Sequence, residues 1–345
     1  MRGILIVIFL LYNGICYAQG DPDSVPDRQQ IAGIGDFKLE SGAVIRDCRI
    51  GYRTYGKLNK WKNNTVLFPT WFGGTSSDIE EYAEPWQVID TDRFFLIVAD
   101  ALGNGISSSP SNSQEQAGAQ FPSFTIRDMV ASHYTLLTRV MRIKSLYAVI
   151  GISMGGMQVF QWGMSYPDYV SRLIPIVGTP QPGSYDLMGY SIYRRIIEDD
   201  KGFDHGNYTT NPVIPAATMM LEFSLTTPEY KTRAMSRDSF AVWQSNVDSA
   251  SVPDWNDTYY QLKAIMAHDI ARDYGGSLRK AAEHIKARML IIVSRQDHLV
   301  NPLPAMAIAK MLQAKLITLN SEQGHQAPNF EDEAMRKSIA EILSD

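Results

Sequence analysis

Tyr147-Ala148-Val149-Ile150-Gly151-Ile152-Ser153-Met154-Gly155-Gly156-Met157-Gln158 is the stretch whose reading decides the architecture. An apolar run leads into Gly-x-Ser-x-Gly, and Met157, Val159, Phe160 and Met164 lead out of it along a helix. A strand that turns abruptly into a helix at a serine needs small neighbours, because the turn is strained and brings backbone against backbone. The same turn lifts the serine hydroxyl above the edge of a sheet. Ser153 is therefore a candidate nucleophile, provided the flanking sequence supplies a sheet and a base.

The sheet is legible on both sides of the motif. Short runs rich in Val, Ile, Leu and Phe recur at residues 65–68, 94–98, 146–152, 173–177, 289–293 and 316–319. Most are bounded by Gly, Pro, Asp or Ser, the pattern of strands buried on both faces. Helical spacing of apolar residues over 126–140, 305–312 and 333–343 fills the intervals. Strand and helix alternating in this way predict a mostly parallel sheet with helices on both faces. Between 183 and 282 the alternation stops. Helical stretches at 216–225 and 239–247 lie among Tyr, Met, Trp and Asp, without a convincing strand. That region reads as an inserted helical cap dividing a core of residues 31–182 and 283–345.

The N-terminus reads differently. Arg2, the unbroken apolar run 4–12 and Cys16-Tyr17-Ala18 have the order of an export signal cleaved after Ala18. The run is far shorter than the ~20 residues a membrane-spanning helix needs. Polar, proline-bearing residues 19–30 read as a linker. The expectation is a secreted or periplasmic protein without stable membrane insertion after cleavage. Cys48 is then the sole cysteine left, so no internal disulfide can form, and it reads as a small core residue on a strand. Asn63, Asn207 and Asn256 lie in N-x-[ST] sequons, relevant in a eukaryotic secretory pathway. The net charge of −5 offers no electrostatic case for nucleic acid.

A serine needs a base to become a nucleophile, and the base needs a partner that fixes its tautomer. Asp297 follows the run 289–293 and His325 follows 316–319, so both fall past the carboxyl ends of strands, on the edge that displays Ser153. Their chain order, Ser then Asp then His, is the one a nucleophile elbow uses. His298 is the rival base, but its neighbour already takes the acid's place. His133 reads as a structural histidine on the apolar side of a helix, and His205, His268 and His284 lie in or beside the cap. No pair of histidines has metal-ligand spacing, and no metal or cofactor is expected. The oxyanion formed on attack needs two N–H donors. Met154, next after the nucleophile, supplies one, and Trp71 in Pro69-Thr70-Trp71-Phe72-Gly73-Gly74-Thr75 is the expected second. A plain Gly-Gly turn is the alternative reading of that loop.

Together these stretches give the α/β-hydrolase fold, and several resemble the homoserine O-acetyltransferase family closely. The likeness is carried by Ile89-Asp90-Thr91-Asp92-Arg93-Phe94, by Phe124-Thr125-Ile126-Arg127-Asp128-Met129-Val130, and by Gly151 through Gln158. Trp162 and Tyr166-Pro167-Asp168 extend it. The resemblance implies Ser153, Asp297 and His325 as a triad, Trp71 and Met154 as the oxyanion hole, and double-displacement acyl transfer. The departures bear on the acceptor. Where the family carries an aspartate after the catalytic histidine, to hold the substrate's amine, this chain has Gln326, a candidate substrate-binding residue. Where it carries an Ala-Arg pair in the cap, this chain has Ala217-Thr218. A neutral amide and a hydroxyl do not replace two charged contacts to an amino acid.

Three readings follow. One is an exported ester hydrolase or acyltransferase acting on a small acyl ester or thioester. A second is a genuine homoserine O-acetyltransferase using acetyl-CoA. The third is a non-catalytic module that keeps the fold. A complete triad argues against the last, and an exported enzyme would lack cytoplasmic acetyl-CoA.

Overall fold

The computed structural model describes residues 28–79, 89–250, 252–329 and 333–344. The expected signal segment 1–18 and most of the linker 19–30 lie outside them. Eight strands form one sheet in the order β1-β2-β4-β3-β5-β6-β7-β8. They are β1 (Gln30–Lys38), β2 (Val44–Tyr55), β3 (Thr65–Pro69), β4 (Phe95–Ala99), β5 (Ala148–Ile152), β6 (Arg172–Ile176), β7 (Arg288–Ser294) and β8 (Lys315–Leu319). From β4 to β8 every pairing is parallel, whereas β1 with β2 and β2 with β4 are antiparallel. The antiparallel pair had no counterpart among the apolar runs. β1 is mostly exposed, and its register breaks twice around Gly33 and Gly35, so no continuous apolar run marks it.

The parallel strands are sorted by the two-residue period of a pleated sheet. Leu67, Ile97, Val149, Leu173, Ile291 and Val293 share one apolar cluster; Phe68, Val98, Ile150, Ile174 and Ile292 share another on the opposite face. The first face is covered by α1 (Ile126–Thr135), α2 (Met154–Ser165) and α9 (Leu303–Leu312), the second by α10 (Glu333–Ser344). The helix expected over 126–140 changes character at Leu136, where a wider turn carries the chain to Val140. Thr135 and Thr138 hydroxyls donate to the carbonyls of Ala131 and Tyr134 here, a local competition that loosens a helix.

Between β6 and β7 lie α3 (Ser184–Glu198), α4 (Pro215–Leu225), α5 (Pro228–Ala234), α6 (Phe240–Ser249), α7 (Trp255–Met266) and α8 (Leu278–Ala282), with no strand among the described residues. This helical segment shares its interior with the sheet. Tyr190, Tyr193, Phe203, Trp255 and Tyr260 belong to one apolar cluster with Cys48, Met154 and Met157. Trp255 and Tyr260 are therefore core, while Phe223 is 74% exposed.

Candidate active site

The strand order reverses direction between β3 and β5: the chain runs outward from β3 to β4, then returns across β3 to build β5. Loops leaving β3 and β5 diverge there and open a crevice at the carboxyl edge. Ser153 follows β5, the Trp71 loop follows β3, and Asp297 and His325 follow β7 and β8. All the expected site residues thus come to one sheet edge.

Ser153 has φ 57° and ψ −120°, a strained conformation for a residue with a side chain. Close packing holds it there. A Cβ added to Gly151 would stand 2.5 Å from the carbonyl carbon of Gly155, and one added to Gly155 would stand 2.6 Å from the Pro69 carbonyl oxygen. The Ser153 N–H donates to the Ile176 carbonyl at 2.9 Å, tying the turn to β6. Both glycines of the motif are required by backbone approach.

His325 Nε2 lies 2.9 Å from Ser153 Oγ, and His325 Nδ1 lies 2.7 Å from Asp297 Oδ2. The other oxygen, Asp297 Oδ1, accepts the N–H groups of Leu299 at 2.9 Å and Val300 at 2.8 Å. The carboxylate is thereby fixed in rotation, and both it and the imidazole are buried. His298, the rival base, is exposed. His133 is buried with Nε2 3.0 Å from the Asp100 carbonyl, and burial pulls its pKa down to about 4. His268 also is buried, with its pKa pulled down to about 3; it bonds backbone at Thr179, just past β6, so it stands nearer a strand end than its place in the cap suggested. Burial pushes the Cys48 thiol up to about 12, which leaves it inert.

Met154 begins α2, and a helix's first N–H groups have no intrahelical acceptor. The Trp71 loop is pressed against that helix start. Gln158 of α2 donates through Nε2 to the Thr70 carbonyl at 3.1 Å, and the Trp71 indole folds back over Gly74. The turn from Trp71 to Gly74 is closed by a bond from the Gly74 N–H at 3.1 Å. Beneath it, buried Asp100 accepts from Ser76 N–H at 2.7 Å, Ser76 Oγ at 2.8 Å, Gln29 Nε2 at 2.9 Å and Asn104 Nδ2 at 2.9 Å. Burial raises the Asp100 pKa although these donors oppose it.

Several supporting residues had no signal in the sequence. Asp186 of α3 accepts from the Asn301 N–H at 2.7 Å, and the Tyr190 hydroxyl donates to the Leu299 carbonyl at 3.0 Å, bracing the Asp297 loop. Thr227 Oγ donates to the Glu322 carbonyl at 2.6 Å, three residues before His325. Gln261 of α7 accepts from the Gly73 N–H at 2.8 Å. Each partner is remote in the chain, and their residue types are ordinary for helices. Gln326 is half-buried beside His325, and Thr218 is buried on α4. Asn63 and Asn207 are exposed, but Asn256 is buried with Nδ2 donating to the Gly206 carbonyl, so the folded chain withholds that sequon. Among the described residues no group of His, Cys, Asp and Glu is arranged to hold a metal ion. A cavity of about 490 Å³ lies at the opposite edge, where β7 and β8 begin, and takes no part in this crevice.

Residues 64–194 match the family model described as alpha/beta hydrolase fold. The chain is 31% identical to an ethyl acetate hydrolase from Pseudomonas veronii over 91% of its own length and 95% of that protein. It is 29% identical to a homoserine O-acetyltransferase from Acidiphilium cryptum, covering 94% of this chain and 97% of that one. The solved structure of an acetylester hydrolase from Corynebacterium glutamicum superposes with a TM-score of 0.82 at 25% identity, over 92% of this chain and 96% of the other.

Proposed function

The chain belongs to the α/β-hydrolase family, in the homoserine O-acetyltransferase-like group that also holds acetyl-ester hydrolases, and from that premise we propose an exported serine esterase that transfers a short acyl group to water. The observation that carries the reading is the hydrogen-bonded series Asp297, His325, Ser153 on a strained elbow. Ser153 Oγ attacks the acyl carbon while His325 Nε2 takes its proton. The negative charge that moves to the carbonyl oxygen is met by the N–H groups of Trp71 and Met154. The tetrahedral intermediate collapses, the leaving alcohol takes the proton from His325, and an acyl-Ser153 ester remains. A water then gives a proton to His325 and attacks the ester. Collapse releases the carboxylic acid and returns the proton to Ser153.

Water as acceptor is supported by what stands beside the base. Gln326 carries no charge to pair with an ammonium, and Thr218 is buried with no charge to offer a carboxylate. Export is supported by the basic, apolar and small residues of 1–18 in that order, and N-terminal sequencing of the secreted chain should begin near Gln19. An intact Met1 chain recovered from the cytoplasm would remove the objection to acetyl-CoA. The deciding assay offers the purified protein p-nitrophenyl acetate and, separately, acetyl-CoA with homoserine. The expected result is ester hydrolysis, lost in Ser153→Ala, with no appreciable O-acetylhomoserine. Transfer to homoserine outrunning hydrolysis would make the chain a homoserine O-acetyltransferase.

A further inference from the structure

The loop that carries Trp71 is held from above by one carboxamide. Gln261 is fully buried on α7, and both ends of its amide are bonded to the core: Oε1 accepts from Gly73 N–H at 2.8 Å, and Nε2 donates to the Leu102 carbonyl at 3.0 Å. These partners belong to the loops after β3 and β4. The stem lies over Gly103, where an added Cβ would stand 3.2 Å from Gln261 Cγ. From the other side Asn104 Nδ2 donates to the Gly74 carbonyl at 3.0 Å. A Gly-Gly turn is conformationally free when unsupported. Here its N–H at Gly73 and its carbonyl at Gly74 are both committed, and the Gly74 N–H bond back to Trp71 makes the turn one body. One helical turn earlier Asp257 accepts from Ser111 N–H at 2.9 Å and Ser111 Oγ at 2.5 Å, on the same face of α7 as Gln261.

We propose that Gln261 is a positioning residue through which the helical cap sets the Trp71 peptide for oxyanion stabilisation. The proposal rests on the reading of Trp71 as an oxyanion donor. Rotation of the 71–74 turn would turn the Trp71 N–H away from the developing charge while leaving Ser153, His325 and Asp297 in place. The signature is thus a loss confined to the transition state.

The test uses Gln261→Met, which keeps length and approximate volume but loses both hydrogen bonds. Expected is a fall in kcat on p-nitrophenyl acetate of about tenfold to hundredfold with KM within about twofold, below the ~10²–10³ for losing a donor outright. Affinity for a trifluoromethyl ketone, which adds to the serine as a tetrahedral anion, should weaken by the same factor as kcat/KM. Asn256→Ala removes a buried amide bond from the same helix without touching the loop, and should leave both quantities within about twofold of wild type. The proposal is overturned if Gln261→Met keeps wild-type kcat and ketone affinity, or if Asn256→Ala loses as much as Gln261→Met, since the effect would then belong to cap stability. Ser153→Ala separates the two levels: activity surviving in that variant removes the serine mechanism itself, whereas activity lost there but kept in Gln261→Met removes the positioning role alone.

Discussion

Replacing Asp297 by asparagine changes one atom's chemistry, and the surroundings determine which way the new amide must face. Asp297 Oδ1 accepts two backbone N–H groups, from Leu299 and Val300, while Oδ2 faces His325 Nδ1 at 2.7 Å. An asparagine oxygen will stay on the two backbone donors, because flipping it would set an NH2 against two N–H groups. Two hydrogen bonds at about 1–1.5 kcal/mol each make the flip unfavourable by about 2–3 kcal/mol, so the flipped form is populated at roughly 0.6–3%. In the favoured form the amide donates to Nδ1, the proton moves to Nε2, and His325 then presents N–H to Ser153 and cannot accept its proton. Restricting turnover to the minor form lowers kcat by roughly 30- to 160-fold. Loss of the negative charge beside the imidazolium removes a charged hydrogen bond of about 1.5–3 kcal/mol, roughly another tenfold or more. Together the expected fall is about 4 × 10² to 2 × 10⁴, a range that includes the ~10⁴ seen for this substitution in a serine protease triad. Initial rates of p-nitrophenyl acetate hydrolysis over a range of ester concentrations read it, with KM expected to hold. A variant within about thirtyfold of wild-type kcat would refute the argument that two backbone donors dictate the tautomer.

Gly155→Ala should lower both Tm and kcat despite alanine's better helix propensity, since its Cβ would meet the Pro69 backbone 2.6 Å away and displace the start of the Trp71 loop; overpacking of this kind costs ~1–3 kcal/mol. Thermal melts and initial rates on one preparation check it. Acid stability should follow the buried histidines. Folding lowers the His133 pKa to about 4 from an ordinary 6.5, so the unfolded chain binds the extra proton between those values, and stability present above pH 6.5 is lost as pH falls toward 4. His133→Gln should flatten that limb of Tm against pH. Gln326→Asp should raise transfer to homoserine over hydrolysis, from one activated ester, by about tenfold if the new carboxylate gains even ~1.5 kcal/mol with the ammonium. An unchanged product ratio would place Gln326 outside the acceptor site.

The parallel half of the sheet was legible because its strands are short and continuous in apolar character, and all but the edge strand β8 are buried on both faces. Ser153, Asp297 and His325 were legible for a related reason: each sits within a few residues of such a strand's carboxyl end, so local sequence places it. β1 and β2 were not, since an edge pair with exposed residues and register breaks has no apolar run to mark it. The sequon at Asn256 shows the same limit from another side. A three-residue pattern cannot report that its asparagine will be packed against Gly206.

What local sequence concealed most fully is the extent to which the helical segment builds the site. Three loops around Ser153 carry the other groups assigned to the proposed reaction, and each is held by a side chain from between β6 and β7. Gln261 holds the loop of Trp71, Asp186 and Tyr190 hold the loop after Asp297, and Thr227 holds the approach to His325. A segment that merely covered the crevice would need only apolar contact with it. Here the contacts are hydrogen bonds to backbone groups of these loops, and such bonds fix direction as well as distance. Met154, whose N–H faces the crevice in the proposed mechanism, has its side chain in the apolar cluster that holds Tyr190 and Trp255. Loosening the helical segment should therefore degrade the geometry of catalysis before it changes access to the crevice, and kcat is the quantity in which substitutions along its inner face should first appear.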